Sequence, residues 1–201
     1  MAEQKYSEGK IVIVSGPSGV GKSTICKEVV RRLKKVRLSV SVTTREKGEN
    51  EVDGGNYWFV SKEQFQEWID KEQLLEYAEV FGHLYGTPRD KVEEVLAAGE
   101  TIILEIDVQG AGQVRAKYPE AKMIFVLPPR HKDLVERLQK RGRDEIEAAK
   151  DRLNGADIEI AAGWRFYEHM VINEDLEQAI NEVIKIIQQA NGEKNDRRTQ
   201  E

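Results

Sequence analysis

The chain has one cysteine, Cys26, which excludes an intrachain disulfide and a thiolate metal cluster. Within a helical pattern Cys26 reads as a small apolar residue on a helix face. No apolar run approaches the roughly 18 residues of a membrane span, and Met1 to Lys10 is polar, without the hydrophobic stretch of a signal peptide. A cytoplasmic protein with no membrane partner is expected. Excess basic charge is also missing: the net charge is −5 although 33% of residues are charged, which argues against a protein that coats nucleic acid. A small ligand is expected, with no protein partner. There is no internal repeat; residues 1–10 read as an N-terminal extension and 191–201, "NGEKNDRRTQE", as a disordered tail.

What is present is an alternation of strand-length apolar runs with helical-period segments. "IVIVS" (11–15) precedes a helix from about Lys22 to Lys34, then come "LSVSV" (38–42), "TIILEID" (101–107), "KMIFVL" (122–127) and "HMVIN" (169–173). Continuously apolar strands spaced by helices predict a parallel sheet covered on both faces, an α/β core over 11–43, 88–130 and 164–190. Two segments break the rhythm. Residues 44–87 hold short alternating pieces, "NYWFVS", "LLEYAEVF" and "LYGT", around a helix-like "KEQFQEWI", and predict a small mixed-β insertion. The charged, amphipathic stretch 131–163 predicts a helical lid.

"GPSGVGKS" is a phosphate-loop pattern, G-x-x-x-x-G-K-[ST], placed directly between a strand and a helix. Gly16, Pro17, Ser18, Gly19, Val20 and Gly21 can curl so that backbone N–H groups point at phosphate oxygens, and the following helix adds its positive end. Lys22 reaches the β and γ phosphates, the Ser23 hydroxyl is a Mg²⁺ ligand, and Thr24 continues the site. The pattern specifies a nucleoside triphosphate and leaves the acceptor open.

Beyond the loop, S-x-S-x-T-T-R from Ser39, E-x-x-G-x-x-Y (Glu51, Gly54, Tyr57), "LLEYAEVFGHLYGT" (74–87), "LEIDVQG" (104–110), "VLPP" (126–129), the triplet Arg137, Arg141 and Arg152, and "VIN" (171–173) follow in order. Over roughly residues 9 to 190 the chain resembles guanylate kinase. The resemblance implies a P-loop core, a GMP-binding insertion at 44–87 and a lid at 131–163. It implies transfer of the γ-phosphoryl of ATP to GMP, and also dGMP, with Mg²⁺ accompanying ATP. Glu76 would accept hydrogen bonds from guanine N1–H and the exocyclic amine, with Thr87 facing O6 and Gly86 beside it; a carboxylate only accepts, so it suits guanine and opposes adenine N1. Ser41, Arg45, Tyr57 and Tyr85 would bind the monophosphate end of GMP, and Glu51 would belong to the same GMP site. Glu105 and Asp107, two apart in a strand and so expected on one side, would line the acceptor pocket. Asn173 would join the ATP site. Arg137 and Arg141, four apart on one helical face, and Arg152 would fold over the triphosphate and, with Lys22 and Arg45, surround the migrating group.

The chain departs from the family pattern at one place. A second arginine usually follows three residues after the one matching Arg45, within T-T-R-x-P-R-x-G-E; "TTREKGENE" puts Lys47 at the proline position and Gly48 at the arginine position. Either Lys47 takes over that phosphate contact or it is a solvated loop charge. Two alternatives to the enzyme remain. Guanylate-kinase-like modules of membrane-associated scaffolds keep the fold, lose catalysis and bind phosphopeptides; the intact loop with Lys22 and the arginine triplet favours the enzyme. Another nucleoside monophosphate kinase is disfavoured by Glu76.

Overall fold

A computed structural model describes residues 9–130 and 159–192. In chain order, β1 (Lys10–Ser15), α1 (Lys22–Arg32), β2 (Val36–Leu38) and β3 (Val42–Thr43) lead to β4 (Trp58–Phe59), α2 (Lys62–Asp70), β5 (Leu74–Val80) and β6 (His83–Pro88). Then follow α3 (Arg89–Ala97), β7 (Thr101–Glu105), α4 (Val108–Lys117), β8 (Lys122–Leu127), β9 (His169–Ile172) and α5 (Leu176–Ala190). Residues 159–166 are also helical. The chain forms two compact units, one containing residues 9–15 and 35–121, the other 16–34, 122–130 and 159–192 of the described residues.

In the first unit β2, β7 and β1 pair in parallel, with Leu38 opposite Ile103 and Ile13 opposite Leu104. Ile11 to Val14 and Ile102 to Leu104 are buried, as expected of β-branched runs covered on both faces. The same unit carries a mixed sheet in the order β4-β3-β6-β5: β3 runs parallel to β4 and antiparallel to β6, which is antiparallel to β5. Helix α2 starts at a reciprocal capping box, Ser61 with Gln64, which satisfies donors the first turn leaves open. Its Phe65 is buried with Val42 and Leu74, flanked by Trp68, Ile69 and Leu84.

In the second unit β8 and β9 pair in parallel, Val126 opposite Val171. Ala179, Ile180, Val183, Ile186 and Ile187 of α5 are buried, at the three- and four-residue spacing of one helix face. Asp175 caps α5 through the Gln178 N–H. The predicted α/β class, with parallel strands and a small mixed sheet, is what the two units contain. No helix among the described residues is long and apolar enough to cross a membrane.

One predicted strand is two. "LSVSV" (38–42) does not stay in one sheet: β2 ends at Leu38, the Ser39 N–H makes a last bond to the Ile103 carbonyl (2.9 Å), and Val42 opens β3 in the mixed sheet. Alternating polar and apolar residues satisfy a strand that stays or one that crosses, because Val36 and Val42 are buried in different places.

Phe65→Ala is expected to cost about 3–5 kcal/mol, since Phe65 is fully buried in the apolar cluster it forms with Val42 and Leu74. Urea unfolding would show the shift in midpoint; a loss below about 1 kcal/mol would contradict a packed centre there.

Candidate functional site

The second unit holds the glycine-rich loop. A Cβ at Gly16 would lie 2.3 Å from the Val126 carbonyl oxygen, and Gly21, at φ +106°, would place one 2.5 Å from the Asn173 amide nitrogen. The sequence therefore has glycine where the backbone must approach other groups closely or turn left-handed. Asn173 fastens the loop: its side-chain amide donates to the Val20 carbonyl at 2.8 Å, and its own N–H donates to the Leu127 carbonyl at 2.8 Å. Pro17 and Val20 are buried, Ser18 and Gly19 half-buried, Ser23 and Thr24 exposed. Helix α1 begins at Gly21 with no side-chain cap and no acidic residue in its first turn, so its positive end is not neutralised locally. The Lys22 ammonium donates to the carbonyls of Gly16 and, at 3.1 Å, of Pro17. A helix start with no side-chain cap and no acidic residue beside it, together with an ammonium, has chemistry that suits an anion.

The first unit gathers Arg45, Glu51, Tyr57 and Tyr85. Arg45 Nη1 donates to Glu51 Oε2 (2.9 Å) and to the Glu46 carbonyl (2.7 Å), while Nη2 donates to Glu51 Oε1 (2.7 Å). The end of the fork is thus filled by Glu51, and the guanidinium also hydrogen-bonds the Tyr85 side chain, so an anion would meet Arg45 and Tyr85 together. Glu51 Oε2 also accepts the Gly48 N–H at 2.8 Å, which closes the loop on itself. The guanidinium carbon lies 5.5 Å and 5.6 Å from the ring centres of Tyr57 and Phe59, within cation–π range. The bonds to Glu51 hold the Arg45 pKa above its ordinary value against the cost of burial. Burial, aided by the nearby charge of Glu105, pushes the Tyr57 hydroxyl up to about 12, so it stays a proton donor at neutral pH.

A second cluster in that unit centres on Glu76, which is only 3% exposed. Glu76 and Thr87 are opposite each other in β5 and β6, and the Thr87 hydroxyl donates to Glu76 Oε1 at 2.6 Å. Glu76 Oε2 lies 2.2 Å from where a Gly110 Cβ would stand, so a side chain at 110 would displace the carboxyl from this position. Asp107 caps α4, one oxygen accepting the Gly110 N–H at 2.9 Å and the other the Gln109 amide at 3.0 Å. Burial raises the Glu76 pKa to about 7; the Thr87 bond opposes the rise and the Asp107 charge adds to it. The carboxyl therefore sits near its titration point at neutral pH, ready to accept two donors if a ligand brings them.

Several expectations change in detail. The strand read as 101–107 ends at Glu105, and Asp107 is the helix cap, so strand alternation does not put the two carboxylates on one side. Their charges reach different neighbours, Glu105 acting on Tyr57 and Asp107 on Glu76. Ser41 joins the mixed sheet through its carbonyl, which accepts the Trp58 N–H at 2.9 Å, and Gly86 is buried in β6. Lys47 is exposed and has no hydrogen bond or ion pair among the described residues. Arg137, Arg141 and Arg152 lie outside the described residues. Sequence reasoning missed Phe59 as a wall beside Arg45 and Gly110 as the clearance for Glu76. The aromatic triplet at 57–59 hinted at the first; the second arises only when β5 and α4 meet.

The family model described as guanylate kinase matches residues 8–190. The chain is 45% identical to the guanylate kinase of Carboxydothermus hydrogenoformans over 181 residues, 90% of this chain and 88% of that one. It is 45% identical to the guanylate kinase of Synechocystis over 185 residues, 92% of this chain and 96% of that one. The crystal structure of guanylate kinase from Anaplasma phagocytophilum superposes with a TM-score of 0.78 at 32% identity, covering 92% of this chain and 87% of that one. By the extent of the match and the identity of these relatives, the chain belongs to the guanylate kinase family.

Proposed function

We propose that this chain is an ATP:GMP phosphotransferase, which transfers the γ-phosphoryl group of ATP to GMP, and to dGMP, giving ADP and the nucleoside diphosphate. The observation that carries the choice of acceptor is the buried Glu76 carboxyl with the Thr87 hydroxyl 2.6 Å away. Without ligand, Thr87 gives its single proton to Glu76. Guanine brings two donors, N1–H and the exocyclic amine, which take over the carboxylate oxygens and free the Thr87 proton to turn to O6. Adenine offers a lone pair at N1 and no carbonyl, so both groups would be left wrongly paired. The segment 44–87 serves in this reading as the GMP-binding insertion.

The GMP phosphate is assigned to the Arg45 guanidinium and the Tyr85 hydroxyl that it hydrogen-bonds, with the hydroxyls of Tyr57 and Ser41. Glu51 keeps the guanidinium aimed by holding its other end. Lys47 is assigned the contact that the family's second arginine would make, supported by its place in a turn tied at Arg45 and Gly48 through Glu51. Residues 16–24 are assigned to the ATP phosphates, Lys22 turning from its two carbonyls to the β and γ oxygens and Asn173 holding the loop. From sequence, Arg137, Arg141 and Arg152 add cations over the triphosphate as a lid.

Ser23 offers one exposed hydroxyl oxygen in the first turn of α1, beside Lys22. That suits Mg²⁺, a hard ion that keeps several waters and takes few protein ligands besides substrate phosphates. When bound, it neutralises charge on the β and γ phosphates. In the reaction a GMP phosphate oxygen attacks the γ-phosphorus, the bond to the β-phosphate oxygen breaks, and its electron pair leaves on ADP. The attacking oxygen is already anionic, so the protein need only align the groups and offset their charge.

Four outcomes are expected. GMP should exceed AMP, CMP and UMP in kcat/KM by about 10⁴-fold or more, and Glu76→Gln should erase most of that margin; comparable values for AMP and GMP would refute the guanine reading. Guanine needs the charged carboxylate, so the KM for GMP should rise roughly tenfold per unit as pH falls below about 7 while the KM for ATP stays nearly level. In stability the sign is opposite: the folded state holds the Glu76 proton to about 7 and the unfolded chain to about 4.5, so folding takes up a proton between them and stability falls as pH rises through 7. Glu76→Gln should then stabilise the empty protein by up to about 3 kcal/mol at pH 8 and little at pH 4, and an equal effect at both would show that the carboxyl titrates normally. Finally, Lys47→Ala should lower kcat/KM for GMP by roughly tenfold or more, the loss of one charged hydrogen bond, with the KM for ATP unchanged; a change within about twofold would make Lys47 a bystander.

A further inference from the structure

β5 is the outer strand of the mixed sheet, and an edge strand leaves alternate N–H and C=O groups without ladder partners. Its register is also irregular. Leu74 faces Pro88 and Glu76 faces Thr87, so Leu75 has no opposite residue: the strand is bulged immediately before Glu76. Pro88 has no N–H for the ladder. A bulged edge is weakly constrained by its sheet, yet this one carries the buried carboxyl.

Helix α4 supplies the missing neighbour. The Gln113 side chain donates from Nε2 to the Tyr77 carbonyl at 2.6 Å and accepts the Tyr77 N–H on Oε1 at 3.2 Å. That is the reciprocal pair a residue of an adjoining antiparallel strand would exchange. Lys117 donates from Nζ to the Leu75 carbonyl. Gly110, Gln113 and Lys117 are spaced by three and four, hence on one face of α4, and they meet residues 76, 77 and 75 in turn. The helix is itself fixed, by the Asp107 cap and by buried Ala111 and Val114.

Resting on the reading of Glu76 as the guanine-selecting group, we infer that Gln113 and Lys117 are positioning residues, which hold the bulged edge strand so that the Glu76 carboxylate meets the donors of the base. Lys117 also acts on Glu76 through its charge; Gln113 is neutral, so its variants isolate the positioning effect.

Gln113→Met keeps the length of the side chain and loses both bonds. It should raise the KM for GMP roughly 10- to 100-fold, the effect of a shift on the order of 1 Å in a positioned group, with kcat and the KM for ATP within about twofold of the parent. Preference for GMP over inosine monophosphate, which lacks the exocyclic amine, should fall with it. Gln113→Asn, one methylene shorter and also neutral, weakens both bonds and should lie between; if Gln113→Met does not fold, this variant carries the same comparison. An unchanged KM for GMP, or a parallel change in kcat and both KM values, would overturn the inference. Glu76→Gln is assayed alongside. If GMP preference survives that change, the reading of Glu76 fails; if it is lost while Gln113→Met keeps the parent KM, the positioning role alone fails.

Discussion

A carboxyl group taken almost wholly out of water is the constraint around which the acceptor side of this protein is arranged. Desolvating a carboxylate is costly unless partners replace its lost hydration, and among the described residues the Thr87 hydroxyl is the one side-chain donor hydrogen-bonded to Glu76. Its pKa of about 7 records that shortfall. The neighbours fit the group closely: a glycine at 110 leaves room for Oε2, Asp107 directs its own oxygens to the start of α4, and β6 sets Thr87 opposite. An under-satisfied acceptor is an unfavourable feature of the empty protein and a favourable one in a site whose ligand brings two donors. Stability given up at such a site is recovered on binding.

The two units offer an anion different chemistry. In the second, α1 starts without a cap or an acid and Lys22 rests on loop carbonyls, so the positive field is left open and is made chiefly of backbone, which any polyphosphate can use. In the first, Arg45 is already paired with Glu51 and walled by Tyr57 and Phe59. A paired arginine loses reach and gains direction: with Glu51 and Tyr85 both holding the guanidinium, its charge is presented in one fixed orientation. The modest net charge of −5 hides this local division.

The parts legible in the sequence are those whose logic is local. The loop from Gly16 to Ser23 declares itself because its contacts follow one another along the chain, and the runs at 122–127 and 169–173 could be only strands at that length and apolarity. "LSVSV" misled because period-two alternation does not say which sheet a strand joins. Asp107 was read into β7, although an aspartate before a helical segment is also a cap signal. Arg45 and Glu51 were each readable by resemblance, but six residues apart in a loop they follow no periodicity that reveals their pairing. The clearance at Gly110 and the grip of Gln113 on Tyr77, 36 residues away in sequence, exist only in the assembled unit. No property of α4 alone announces them.

On the proposed reading, Glu76 is a buried acid awaiting the donors of a guanine base. The most direct measurement is a ¹³C NMR titration of the Glu76 side-chain carboxyl, assigned by Glu76→Gln, with and without saturating GMP. The account predicts a midpoint of about 7 in the empty protein and one displaced well below that with GMP bound, because hydrogen bonds from the base favour the charged form. A midpoint near the ordinary 4.5 in the empty protein, or one that GMP leaves unmoved, would contradict it.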